Sequence, residues 1–181
     1  LDRRNGEVLW ERMVREAHPH EGMHPTASFA STSGATDGER LYAYFGSQGL
    51  YCFDLDGNLK WEKDLGKARI ARSFGEGSSP TIYGNALLIN WDHEGDSFIV
   101  ALDKLTGEEL WHNERDERTS WSTPLVVEHK GKHQVIVSAS KRTRGYDLAS
   151  GKLIWECAGL GANVVPMPLH ANGLVYVTSG H

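Results

Sequence analysis

Two stretches carry the donor types of a metal or acid–base site. Asp92-His93-Glu94-Gly95-Asp96 places three carboxylates within five residues, hard oxygen donors of the kind Ca²⁺ takes. His18-Pro19-His20-Glu21-Gly22-Met23-His24 places three imidazoles and a carboxylate within seven, a set that suits Zn²⁺. Both have a plainer reading. The acidic stretch joins two apolar runs and reads as a solvated turn, since a motif without its structural context is weak. Pro19 and Pro25 stiffen the histidine stretch, and no second ligand group stands near it, so a polar connection is the simpler assignment. His93 and His112 are single histidines near turns and strand ends and read as packing or surface groups. Arg115-Asp116-Glu117-Arg118 and Arg142-Thr143-Arg144 read as solvated loop charges. Cys52 and Cys157 stand 105 positions apart without metal-type partners and read as buried free thiols. No catalytic residue and no metal ligand is assigned on these grounds, and the cofactor-binding residues stay open.

The elements that must position these residues announce themselves by recurrence. Ala101–Trp111 follows the apolar run Ser97–Leu102, breaks at Asp103 and Thr106-Gly107, and resumes at Leu110-Trp111. This is the pattern of a β-hairpin with glycine where the backbone needs positive φ. Leu1–Trp10 and Tyr146–Trp155 repeat the Asp, Gly and Trp at four-residue steps, and Phe53–Trp61 repeats them with one turn residue fewer. Trp10, Trp61, Trp111 and Trp155 are separated by 51, 50 and 44 residues. Pro80, Pro124 and Pro168 recur at 44-residue steps, and Pro80 and Pro124 each precede a hairpin Trp by 31. Two markers in fixed phase indicate a repeat architecture with one four-stranded unit per period. Proline fits the first residue of a strand, where no ladder bond is lost.

In chain order, residues 1–11 are the end of one unit, 23–62, 78–112 and 122–156 are full units, and 163–181 begin another. In the first full unit, Ala27–Ser33 is a weak opening strand, Arg40–Phe45 the second, and Gly49–Leu55 with Asn58–Glu62 the hairpin. The apolar run at Ala86–Ile89 suits a strand covered on both faces. Short strands separated by turn signals, with no competing 3.6-residue period, predict an all-β fold: a β-propeller of four-stranded antiparallel blades, strands A to D from the axis outward. The strand count predicts three complete blades and two partial ones, a segment of a larger propeller, with the first and last pieces on open ends or paired with another chain. A ring closed between Leu1–Trp10 and Leu174–Thr178 would lack a strand C and leave an edge unpaired.

Length suffices for a sizeable core. A net charge of −5 with both signs interspersed argues against nucleic acid, which selects a basic face, and no stretch has the length of an apolar membrane span.

The pattern Ala101-x-Asp103-x-x-Thr106-Gly107-x-x-x-Trp111 resembles the signature of the PQQ-like, or quinoprotein-type, propeller repeat. Asn5 and Ser150 replace the Thr, and the Asp54–Trp61 turn is shortened. The stretches Glu76–Pro80, Asn90–Glu94 and Thr119–Pro124 look similar to uncharacterised bacterial members. The resemblance implies that each hairpin Trp docks against the glycine hairpin of its neighbour. It also implies one of two branches: quinone-dependent alcohol and sugar dehydrogenases, or binding scaffolds such as the lipoprotein of the outer-membrane barrel assembly machinery. The dehydrogenase branch implies a disulfide between adjacent cysteines, absent here, and Ca²⁺ beside the quinone, for which Asp92, Glu94 and Asp96 are the candidate ligands.

In an antiparallel blade, the B–C loops and the D–A connections emerge on one face. That face gathers His18–His24, Arg69, Arg72, Asp92–Asp96, Arg115–Arg118 and Arg142–Arg144, with Trp121 at its edge. Loops on a rigid scaffold are where binding resides, and mixed charge with an aromatic suits a protein partner or a polar small molecule. The expectation is a non-catalytic binding or interaction module of a bacterial periplasmic or extracellular protein, with no cofactor evident. The alternatives are a segment of a PQQ- and Ca-dependent dehydrogenase, or the sensor portion of a larger receptor or kinase.

Overall fold

The structure, a computed structural model, describes residues 1–180. Strands β1 (Ala35–Thr36), β2 (Arg40–Tyr44), β3 (Leu50–Asp54) and β4 (Leu59–Lys63) form the first sheet. The second holds β5 (Thr81–Tyr83), β6 (Ala86–Trp91), β7 (Ser97–Asp103) and β8 (Glu109–Arg115). The third holds β9 (Leu125–His129), β10 (Lys132–Val137), β11 (Thr143–Asp147) and β12 (Leu153–Cys157). β13 (Leu169–Ala171) and β14 (Leu174–Tyr176) make a two-stranded sheet. Each four-stranded sheet is an antiparallel meander in chain order, a propeller blade.

Each repeated residue has a mechanical task. The Asp closes the hairpin: Asp103 Oδ1 accepts the Leu105 and Thr106 amides at 2.8 and 3.0 Å, and Asp147 Oδ1 accepts the Ser150 amide at 2.9 Å. Each third–fourth strand pair carries a bulge just beyond the pair Cys52–Trp61, Ala101–Trp111 or Gly145–Trp155, and a bulge re-aims the side chain beside it. Trp10, Trp61 and Trp111 then cross to the next hairpin and lie on Gly57, Gly107 and Gly151, whose φ values are +80°, +74° and +72°. A Cβ at these glycines would fall within 2.6–2.7 Å of the indole, so both the positive φ and the close approach demand glycine.

The indole N–H groups donate to Leu55, Lys104 and Leu148 carbonyls at 2.8, 3.1 and 2.8 Å. A second clamp lies two residues beyond each Trp, where Arg12, Lys63 and Asn113 donate to the glycine carbonyls at 3.1, 3.3 and 2.8 Å. Trp155 differs. Its ring lies over Gly145 of its own blade, its N–H reaches Gln134 Oε1 at 2.8 Å, and Cys157 occupies the second clamp position.

Two apolar layers lie between the blades. Leu87, Ile89 and Trp91 of β6, with Val100 and Leu102 of β7, pack toward Tyr42, Tyr44, Leu50 and Cys52. The intervening Ala86, Leu88, Ile99 and Ala101 pack toward Val135, Val137 and Tyr146. The period-two alternation thus buries both faces of the second blade. Just before the opening strands, hydrogen bonds run from blade to blade in steps near the repeat length: Ser33 N to Ser79 Oγ (2.9 Å), Ser79 N to Thr123 Oγ1 (3.1 Å) and Ser122 Oγ to the Pro166 carbonyl (3.1 Å).

Three sequence expectations need correction. Ala27–Ser33 forms no strand; the first blade opens at Ala35–Thr36. Ser28 and Ser31 bond local backbone instead, with Ser31 Oγ donating to the Ser28 carbonyl at 2.6 Å, a competition that short hydroxyl side chains commonly win. Residues 1–10 keep the hairpin turn (Asp2 N to Glu7 O, 2.7 Å) but join no sheet. Arg144 lies inside β11 rather than in a loop. Among the described residues, no hydrogen bond joins 1–10 to 174–178.

Candidate functional site

The loops expected to share a face do meet. His20 Nε2 lies 2.6 Å from the Ala68 carbonyl, and Glu21 accepts the Ile70 amide at 2.9 Å. Arg69 donates to the Glu94 carbonyl. Glu94 accepts the Thr119 amide and hydroxyl at 3.1 and 2.9 Å, and Thr119 Oγ1 accepts the Ala71 amide at 2.9 Å. His93 is a buried packing group, its Nδ1 taking the Arg69 and Gly95 amides at 3.1 Å each. His112 stacks on Phe98 at 4.5 Å, and His18 is exposed.

Several charges expected to be solvated are buried. Arg115 and Asp92 form a two-pronged ion pair at 2.7 and 3.1 Å with both side chains fully shielded. Ser120 donates to Asp92 at 2.7 Å, and Arg115 donates to the Tyr146 hydroxyl at 2.7 Å. Burial would depress the Arg115 guanidinium, but the Asp92 carboxylate overrides it and holds the pKa well above the ordinary arginine value. Buried Glu117 accepts the Lys141 and Arg142 amides at 2.9 and 3.1 Å and an Arg144 N–H at 2.7 Å. Arg144 also reaches Asp116 and Glu156. The reason is topological: Arg115 ends β8 and Arg144 lies inside β11, so both are carried into packed sheets, where a charge must be paired. Asp116 and Arg118 remain exposed as expected. Cys52 is buried, its thiol pushed up to about 11 by desolvation. Cys157 is exposed on the outer strand β12, against expectation.

The carboxylates proposed for calcium are committed elsewhere. Both Asp92 oxygens are held by Arg115, Glu94 Oε1 by Thr119, and Asp96 faces solvent. Among the described residues, no group of three His, Cys, Asp or Glu side chains is arranged to hold a metal. These donors do not fit a Ca²⁺–quinone pair, and the histidine stretch spends His20 and Glu21 on backbone groups.

What sequence reasoning did not single out is Glu76. It lies just before the second opening strand, at the meeting of three cavities of about 290, 620 and 20 Å³. The first is bordered by His20, Glu21, Phe29 and Phe45, the second by His24, Phe74, Trp121 and Asn163, and the smallest by Tyr44, Asn90 and Ser120. Glu76 Oε2 accepts the Ser47 amide at 2.8 Å, and a Cβ at Gly46 would overlap this carboxylate. Desolvation raises the Glu76 pKa above the ordinary glutamate value; Glu21 adds to this, while Ser47 and His20 oppose it.

Aromatic rings wall the larger cavity: His24 meets Phe74 edge-on at 5.4 Å, Phe74 lies 6.3 Å from Trp121, and Trp121 donates to the Gly75 carbonyl at 2.7 Å. The segment delivering Phe74 and Glu76 is strained, with Arg72 at φ +53° and Ser73 at φ +51°. Strain of this kind concentrates where a side chain must be presented. Beside Glu76, the buried Asn90 donates its amide N–H to Ser120 and to the Ser122 carbonyl, each at 3.2 Å, and its Oδ1 has no partner among the described residues.

Four-stranded meanders locked by an Asp-closed turn and a Trp on the next blade's glycine define an all-β, PQQ-like propeller. The family model described as the outer membrane protein assembly factor BamB (PQQ_2) matches residues 1–180, and the chain belongs to that family. Solved structures agree on the fold. A europium-containing methanol dehydrogenase superposes with TM-score 0.55 at 21% identity, over 75% of this chain and 27% of its own. BamB from Moraxella catarrhalis gives 0.56 at 17%, over 78% and 40%. The computationally designed Ika4 protein gives 0.58 at 16%, over 80% and 81%. The chain thus spans between a quarter and two fifths of the two natural proteins. No curated protein matches the sequence. Among the described residues, no helix is long and apolar enough to cross a membrane.

Proposed function

We propose that this chain is a non-catalytic binding module, engaging a protein partner through the face around Glu76 in a bacterial periplasmic or extracellular setting. One observation carries the reading. Asp92 and Glu94, the buried carboxylates that could have served catalysis, are spent on internal pairing, whereas a different carboxylate, Glu76, borders aromatic-walled cavities and forms no ion pair among the described residues. Binding sites are concave and largely apolar, with few well-placed polar groups. The family description, an assembly factor, favours a protein over a small polar molecule as the occupant. The methanol dehydrogenase likeness concerns the fold, and fold does not set function.

The test is titration of the purified protein with PQQ and Ca²⁺, followed by absorbance and by dye-linked oxidation of alcohols and sugars. Neither stoichiometric quinone uptake nor turnover is expected. Stoichiometric uptake with turnover would replace this reading by the dehydrogenase one.

A further inference from the structure

We propose that the Glu76 cavity receives a cationic side chain, a guanidinium or ammonium, from a partner polypeptide; this rests on the binding-module reading. The oxygens left without a donor at the site call for one. Glu76 has one oxygen on the Ser47 amide, and among the described residues no Lys, Arg or His lies within ion-pair distance of it. Asn90, which lines the same small cavity as Glu76, is 3% exposed, and its Oδ1 has no hydrogen-bond partner among the described residues. A buried acceptor without a donor costs free energy until a ligand supplies one. Arginine and lysine bring only donors, and arginine brings five in a fixed fork.

The rest of the cavity suits the stem of such a side chain. Trp121 and Phe74 offer apolar faces for its methylenes and ring faces for its charge. The larger cavity, about 620 Å³, has room for the flanking residues of an extended segment. An anion would meet Glu76 and Glu21 against only His20 and His24. A purely apolar ligand would leave Glu76 and Asn90 Oδ1 without donors.

The test uses three probes on the whole chain at pH 7: the tripeptide acetyl-Leu-Arg-Leu-amide, its Gln counterpart, and N-acetyl-arginine amide. Binding is read by calorimetry and by tryptophan fluorescence. The Arg tripeptide should bind saturably, the Gln tripeptide at least about tenfold more weakly, in keeping with loss of a charge-assisted contact. Glu76→Gln should lose a comparable factor while unfolding no earlier than wild type. Glu128→Gln, in β9 away from the cavity, should bind as wild type. Equal binding of the Arg and Gln tripeptides, full binding by Glu76→Gln, or no binding by either tripeptide would overturn the proposal. N-acetyl-arginine amide binding as tightly as the tripeptide would overturn the polypeptide assignment in favour of a free cationic small molecule. These failures leave the quinone test untouched, so the two readings fall separately.

Discussion

The joint between the second and third blades and the cavity around Glu76 are built in opposite ways. At the joint, Trp111 is buried on Gly151, its N–H is satisfied by Leu148, Asn113 caps the glycine carbonyl, and Arg115 pairs with Asp92 close by. At the cavity, among the described residues, a desolvated carboxylate forms no ion pair and a buried amide oxygen has no partner. The Trp-on-glycine docking and its second clamp recur at Trp10 and Trp61, with Trp155 the exception; the second arrangement is confined to the Glu76 cavity. Repetition in this chain encodes stability, and departure from repetition encodes the site.

The sharpest way to break this contrast is to remove a polar group on which the second blade depends. Arg115→Ala leaves Asp92 shielded and uncompensated, which should cost about 3–5 kcal/mol in chemical denaturation, the range for breaking a buried pair. A loss below about 1 kcal/mol would place that pair with ordinary surface pairs. Trp111→Ala should cost about 3–5 kcal/mol as a large-to-small aromatic change. Trp155→Ala, which removes a half-exposed ring from its own blade only, should cost less than half of that; equal losses would mean that docking on the next blade adds nothing. Asn113→Ala removes the second clamp and should cost about 0.5–1.5 kcal/mol, measured the same way.

The joint was legible in the sequence because it recurs. Trp10, Trp61 and Trp111 fall at fixed distances from their Asp and Gly, and Pro80 and Pro124 keep the phase. The second clamp was not read from the sequence: Arg12, Lys63 and Asn113 each stand two residues past a Trp, but their side chains differ enough to hide the common donor role. The site was not. Glu76 depends on the Ser47 amide from the preceding blade, on Asn90 from β6 and on Trp121 from a later connection, and such long-range meetings leave no periodic trace. The same blindness made Arg115, Glu117 and Arg144 read as loop charges: their type said solvent, while the strands beneath them dictated burial. The strand lost at Ala27–Ser33 was a local matter, serine hydroxyls outcompeting the ladder.

The smallest effect bears most directly on the claim that Glu76 is kept for binding and not for stability. Glu76 titrates above the ordinary glutamate value because burial disfavours its charge. The folded chain then holds that proton more tightly than the unfolded chain. The stability tied to this group is present in full below the ordinary glutamate pKa of about 4.3 and declines as pH rises through the raised value. Glu76→Gln has no charge to desolvate and can still accept the Ser47 amide. Thermal unfolding of wild type and Glu76→Gln between pH 4 and pH 7 should therefore coincide at the acid end and diverge upward, the variant being the more stable at pH 7. A variant less stable than wild type across the whole range would show that the carboxylate serves the fold, and would contradict its assignment to a partner.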